Sequence, residues 1–263
     1  MVQDIVYSPG EDVFLVIRYD GQIFLYSVER QEPKTEFEKP QGDVCRAVWI
    51  DQISGDFLVA SPKVGALRIY NAAIPVCKEI IKVSRHGIYD IQRMTSEVYL
   101  IKLKNGQIMQ FNIKTKKELF ITEVGHVAQI QKSLIHPKNP NVMASAGFDG
   151  SVRKWNLQNM QMEGMFEHKQ GQQGRLIIQS LAWCPMQPPR DQPKTAFDNL
   201  IVMGTADGKV HLVDIARNKI LNTINLSNSL VTVFSVDWNM DGFMAIASTE
   251  LNVFIKKFDP ESK

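Results

Sequence analysis

The chain alternates short apolar runs with turn-forming residues from end to end. The runs have the length of strands, as in Val13 to Ile17, and helical periodicity is nowhere sustained. A tight turn followed by a short apolar strand recurs. Asp20-Gly21 precedes QIFLYSV, Val64-Gly65 precedes ALRIYNA and Asn105-Gly106 precedes QIMQFNI. Asp149-Gly150 precedes SVRKWNL, Asp207-Gly208 precedes KVHLVDI, and a degenerate sixth copy runs from Glu250-Leu251 into NVFIKKF. From Gly21 through Gly208 the intervals are 44, 41, 44 and 58 residues, and Leu251 follows 43 later. Asp-Gly and Asn-Gly suit a two-residue hairpin in which both central residues take positive φ. Each run after a turn therefore reads as the return strand of a hairpin.

Five residues after each glycine stands a large residue and then a small polar one: Tyr26-Ser27, Tyr70-Asn71, Phe111-Asn112, Trp155-Asn156 and Val213-Asp214. Another strand lies upstream in each unit, such as IVYSPG, AVWIDQ or LAWCPM, then one leading into the hairpin, such as NVMASAGF or NLIVMGTA. A fourth follows, such as KKELFITEV. Four strands in roughly 40–45 residues make a β-propeller blade. The pattern predicts an all-β chain of about six four-stranded units.

The large-polar pair occupies the WD position of a WD40 repeat, and the chain resembles that family. The fourth unit matches best, with Gly125-His126, Ser145, Asp149 and Trp155. In the family such residues form a buried hydrogen-bond network, so the resemblance implies a structural tetrad of His126, Ser145, Asp149 and Trp155. A Ser-His-Asp set also invites a catalytic reading, but neither a G-x-S-x-G elbow nor an oxyanion-hole motif accompanies it. GHVAQIQKSLIHPKNPNVMASAGFDGSVRKWNLQ (Gly125 to Gln158) and NLIVMGTADGKVHLVDIARNKILNTINL are similar to the WD repeat-containing protein seventeen family, large scaffolds expected to hold two consecutive propellers. That register places repeats one to three in 1–124 and repeats four to six in 125–263; the alternative is one propeller over 1–263. The chain opens on an innermost strand, DIVYSP, and stops at a third strand, FIKKF. An incomplete array of blades is therefore expected.

Composition narrows the function. The 263 residues carry 30 Lys+Arg and 28 Asp+Glu, a net charge of +2. That balance supplies no field for nucleic acid or an anionic membrane. No apolar run approaches the roughly 20 residues of a membrane helix, and no signal-peptide pattern opens the chain. Cys45, Cys77 and Cys184 are scattered and read as small buried residues in a reducing compartment. The five histidines, His86, His126, His136, His168 and His211, show no ligand spacing, and no P-loop, GxGxxG or HExxH occurs. No cofactor or metal is expected.

The long fifth interval holds an insertion, Met186 to Asn199, rich in proline. It joins the first and second strands, opposite the Asp-Gly turns. Pro188, Pro189, Arg190 and Pro193 mark it as a candidate partner-binding loop. A second loop, KQGQQG (Lys169 to Gly174), falls on the other face. Four residues after the glycines stand Leu25, Ile69, Gln110, Lys154 and Leu212, polar only in units three and four. The expectation is a non-enzymatic, cytoplasmic protein-protein interaction scaffold, associated with a ciliary or trafficking assembly. The alternative is a peptide-reading propeller subunit of a larger complex, with a propeller hydrolase third.

Overall fold

The computed structural model describes residues 2–10, 12–40, 46–51, 54–122, 125–167, 177–188, 193, 196–226, 231–249 and 253–257. The chain divides into two compact units, Met1–Gly125 and His126–Lys263.

The first unit holds three four-stranded antiparallel sheets, each a meander in chain order. Blade 1 is β1 (Val2–Tyr7), β2 (Val13–Arg18), β3 (Ile23–Ser27) and β4 (Pro33–Glu36). Blade 2 is β5 (Arg46–Trp49), β6 (Asp56–Ala60), β7 (Ala66–Asn71) and β8 (Ile74–Lys82). Blade 3 is β9 (Ile88–Arg93), β10 (Val98–Leu103), β11 (Ile108–Asn112) and β12 (Lys117–Ile121).

In the second unit, blade 4 is β13 (Ile130–His136), β14 (Asn139–Gly147), β15 (Ser151–Asn156) and β16 (Gln161–Glu167). Blade 5 is β17 (Ile178–Trp183), β18 (Leu200–Thr205), β19 (Lys209–Asp214) and β20 (Lys219–Asn225). Blade 6 has three strands among the described residues: β21 (Val233–Trp238), β22 (Phe243–Ser248) and β23 (Val253–Lys257). Its expected turn at Glu250-Leu251 lies outside the described residues. No helix occurs among the described residues, and so none long and apolar enough to cross a membrane.

Within each unit the first strand of a blade packs on the first two strands of the blade before it: β5 on β1 and β2, β9 on β5 and β6, β17 on β13 and β14, β21 on β17 and β18. Blades 2 and 5 are therefore covered on both faces. All six residues of β18 are buried, and its sequence is continuously apolar rather than alternating. The outermost strands β4, β12 and β20 face solvent along most of their length.

The two faces of a blade differ in chemistry. In blades 2, 4 and 5 the second strand offers the following blade a small residue and the third a branched one, Ala60 beside Leu67, Ala146 beside Val152 and Gly204 beside Val210, whereas blade 1 has Ile17 beside Ile23 there. The small residues let the next first strand come close. A Cβ on Gly204 would lie 2.5 Å from Val233 Cγ1. The opposite face carries bulk. Trp49, Phe57 and Tyr70 are buried against Leu15, Ile17, Ile23, Leu25 and Phe37 of blade 1. Trp49 Nε1 donates to the Val6 carbonyl at 3.2 Å, and Trp183 Nε1 to that of Leu134 at 3.0 Å. Each indole thus pins the first strand of the preceding blade.

The repeat turns differ from the two-residue type expected. Only the glycine takes positive φ: 84° at Gly21, 61° at Gly65, 82° at Gly106, 72° at Gly150 and 79° at Gly208. Gly21 N bonds to the Arg18 carbonyl, and Arg18 N to that of Gln22, which closes a three-residue loop ending in a left-handed glycine. The preceding Asp or Asn serves through its side chain. Asp20, Asn105 and Asp149 each accept from the backbone N–H just beyond the glycine, at 3.1–3.2 Å. Gly65, preceded by Val64, makes the turn without that acceptor.

Gly204→Val should drive a branched side chain into Val233 and Ser180. The expected loss is about 1–3 kcal/mol of stability, measured by urea denaturation; an unchanged midpoint would show that the blades do not approach as described.

Candidate functional site

His126, at the start of the second unit, meets the hairpin of blade 4. Its Nε2 lies 2.7 Å from Ser145 Oγ on β14, and its Nδ1 lies 3.0 Å from both carboxylate oxygens of Asp149 in the turn. Trp155 Nε1, on β15, donates to Ser145 Oγ at 2.8 Å. One proton arrangement satisfies all four groups. Nδ1–H donates to Asp149, Nε2 accepts from the Ser145 hydroxyl, and that oxygen accepts from the indole.

Two further residues join. Ser151 Oγ donates to Asp149 Oδ1 at 2.8 Å, and an Arg153 guanidinium nitrogen lies 3.5 Å from Asp149 Oδ2. Neither was singled out in the sequence, although both stand in SVRKW directly after the turn and alternate onto one face. Burial works to raise the Asp149 pKa, but the hydrogen bonds from His126 and Ser151 outweigh it and hold the carboxyl well below its ordinary range.

In distances alone Ser145, His126 and Asp149 form a Ser-His-Asp triad. Ser145 is fully buried, His126 is 2% exposed, and the serine oxygen already takes the indole proton. No carbonyl substrate can approach such a nucleophile, so what the geometry can do chemically is hold the blade together. The other described histidines are apart from it. His136 Nδ1 accepts from the backbone N–H groups of Lys138 and Asn139, and burial lowers its pKa, so the neutral acceptor form is favoured. His211 Nδ1 meets Thr223 Oγ1 at 2.9 Å, His86 pairs with Arg85, and His168 lies outside the described residues.

The first unit carries a different polar network that the sequence did not suggest. Arg46 on β5 bridges Asp4 on β1 at 3.0 Å and Asp90 on β9 at 3.3 Å, and the buried Lys102 on β10 closes on Asp90. Burial raises the pKa of both carboxyls in the first instance. Asp4 stays raised, whereas Lys102 and Arg46 together bring Asp90 below its ordinary value. The four residues come from four strands far apart in sequence, and no local motif announces them.

The blade 5 insertion is tied at both ends. Lys138 Nζ donates to the Met186 carbonyl at 3.0 Å and lies 3.6 Å from Asp198. Phe197 is buried in the core with Leu200, Leu212 and Trp238. Lys154 Nζ donates to Asn199 Oδ1 at 3.0 Å. The polar residue at that repeat position in blade 4 thus holds the insertion of blade 5, and Gln110, its counterpart in blade 3, is buried. Pro193, exposed, joins Phe197, Asn199, Asp214, Arg217 and Leu221 around a cleft of about 540 Å³. Pro188 is half-buried at the near end; Pro189 and Arg190 lie outside the described residues, as does the loop from Lys169 to Gly174. Of the cysteines, Cys184 is buried and its thiol pushed up to about 11 by burial, Cys77 is half-buried, and Cys45 lies outside the described residues.

Trp155→Ala should cost about 3–5 kcal/mol, since it empties a buried indole site. Asp149→Ala should cost about 1–3 kcal/mol by leaving polar partners unpaired. Calorimetric melting of both variants checks this, and wild-type behaviour would mean that the network contributes nothing. Because the folded-state pKa of Asp149 is depressed, its contribution is present above its ordinary value of 3.8 and is lost as pH falls below it. Denaturation midpoints between pH 7 and pH 3 should therefore drop less steeply in Asp149→Asn than in the native chain.

No family model matches the chain. Among solved structures it is similar to the crystal structure of the C-terminal WD40 domain of Sif2, with a TM-score of 0.75 and 14% identity over 98% of this chain and 70% of that one. The likeness does not extend to the narrower resemblance to WD repeat-containing protein seventeen. It shows the fold: the chain is all-β, built of WD40-type β-propeller blades.

Proposed function

We propose that this chain is a non-enzymatic protein-protein interaction scaffold, and that the cleft beside the blade 5 insertion receives a partner. The observation that carries the reading is the way the insertion is held. Lys138, Phe197 and Lys154 fix its two ends to a rigid frame, while Pro193 stands exposed at the cleft. Side chains already held in place lose little entropy on binding, and loops on a rigid scaffold commonly carry recognition. The cleft pairs apolar surface, Pro193, Phe197 and Leu221, with the exposed Arg217, whose Nε lies 3.6 Å from Asp214. That combination suits a peptide segment with an apolar anchor and an acidic neighbour. The sealed Ser145-His126-Asp149 set supports the non-enzymatic part of the proposal. The cytoplasm, within a ciliary or trafficking assembly, is the proposed setting.

A second reading, a peptide-reading subunit, is favoured by a cleft of about 420 Å³ along the innermost strands of the second unit. Lys132, Trp183, Ser235, Asp237 and Trp238 stand on its walls. Affinity capture from the protein's own cells compares native chain with Arg217→Glu/Leu221→Asp and with Lys132→Glu. The first reading expects a protein set lost only with the double variant, at unchanged melting temperature. Loss only with Lys132→Glu would favour the second, and recovery of RNA or lipid without proteins would reject both.

A further inference from the structure

Each blade turns from its first strand to its second at a corner, and side chains hold these corners shut. In blades 1, 2, 3 and 6 the acceptor is an oxygen. Ser8 Oγ accepts from Val13 N, Asp51 Oδ1 from Ser54 N, and Thr95 Oγ1 from Glu97 N and Val98 N. Asn239 Oδ1 accepts from Asp241 N and Phe243 N at 3.0 and 2.9 Å. Blade 4 uses a nitrogen instead. His136 ends β13, Asn139 begins β14, and His136 Nδ1 accepts from Lys138 N and Asn139 N, both at 3.1 Å. A hydroxyl or amide oxygen stays an acceptor across neutral pH, whereas an imidazole nitrogen can gain a proton there and become a donor.

The same corner carries the grip on the blade 5 insertion. Lys138 is bonded to His136 through its backbone and holds Met186 and Asp198 with its ammonium group. His136 is 4% exposed, its Nε2 is sealed from solvent, and its ring packs edge-on against Trp183 of β17 at 4.7 Å. Burial opposes a charge on this ring most strongly. Asp198 of the insertion favours the proton, while Lys138 at the corner and Lys154 on β15 oppose it. Cys184, just past β17, is a neutral thiol whose pKa burial pushes up to about 11. An imidazolium carries hydrogen on both ring nitrogens. Its Nδ1–H would meet the two N–H groups from which Nδ1 now accepts, so the charged form fits only once the corner turns away.

We propose that His136 is a proton-operated latch: protonation opens the Pro137-Lys138 corner, loosens the hold of Lys138 on the insertion and weakens partner docking in the adjoining cleft. The effect on docking rests on that cleft being the partner site; the opening of the corner does not. His136 acts through Lys138 and is a positioning residue. Its folded-state pKa is lowered from the ordinary 6.5, so the closed corner is fully favoured above that pH and loses ground as pH falls below it. One pH unit below 6.5 the opening equilibrium should have risen about tenfold.

Amide hydrogen exchange of the purified chain at about pH 7.5 and about pH 5.5, corrected for intrinsic rates, tests the latch. At the lower pH the amides of Lys138, Asn139 and, in the insertion, Ala196 should together lose about tenfold in protection, while those of β19 keep theirs. His136→Asn supplies a non-titrating oxygen acceptor, as Asn239 does in blade 6, and should keep its protection at both pH values. Lys138→Met should expose Ala196 at both. Native protection that survives the lower pH, opening shared equally by β19, or His136→Asn that opens as the native chain does would each overturn the latch and leave the cleft reading intact. Partner capture at the lower pH should weaken for the native chain and not for His136→Asn. If Arg217→Glu/Leu221→Asp captures the native protein set, the docking half alone is overturned.

Discussion

The close approach of one blade's first strand to the small residues of the blade before it is the contact on which the remaining structure depends. Gly204 beneath Val233 is one such case. Because β17 sits on β13 and β14, and β21 on β17 and β18, the middle strands of blade 5 lose water on both sides. Each fully buried Val, Leu or Ile then contributes about 1.5–3 kcal/mol. A pleated strand with one wet face could not use a run such as LIVMGT. The gradient from buried middle strands to exposed outer ones is the direct result.

Stacked sheets of this kind must still satisfy the polar groups they bury, and the two units do so differently. Blade 4 uses neutral and charge-assisted hydrogen bonds gathered around His126 and Asp149. The first unit uses alternating charges, Asp4, Arg46, Asp90 and Lys102, laid across three blades. Removing one partner from a buried pair such as Lys102 and Asp90 typically costs about 3–5 kcal/mol, because the other charge stays buried without compensation. The Ser145-His126-Asp149 set shows why distances alone do not make a catalyst: its hydroxyl is already engaged and has no route to solvent.

What stands outside this packing is where function is sought. The insertion of blade 5 leaves the frame at Met186 and rejoins it at Phe197, and Lys138 holds both departures with one ammonium group. Phe197, at the far end of the insertion, is buried in the core, so the insertion is anchored there as well.

The sequence alone determined the strand order, because each blade is a local meander whose turns and period-two or continuous apolar runs are written within about 40 residues. It also determined the positions of the left-handed glycines, since no other residue adopts that φ so readily. His126, Ser145, Asp149 and Trp155 were legible through resemblance to a repeat motif that keeps these residue types together. The loop length was misjudged. Asp-Gly suits a two-residue turn and equally a three-residue one, and only the pairing of Arg18 with Gln22 distinguishes them. Ser151 and Arg153 went unmarked because polar residues on a strand look alike until their face is known. Tertiary structure alone decided the Asp4-Arg46-Asp90-Lys102 chain, the grip of Lys138 on the insertion and the use of Lys154 by blade 5. Each joins residues from separate strands or blades. Such contacts are set by how the sheets stack, and no local periodicity encodes which charged side chain will meet which.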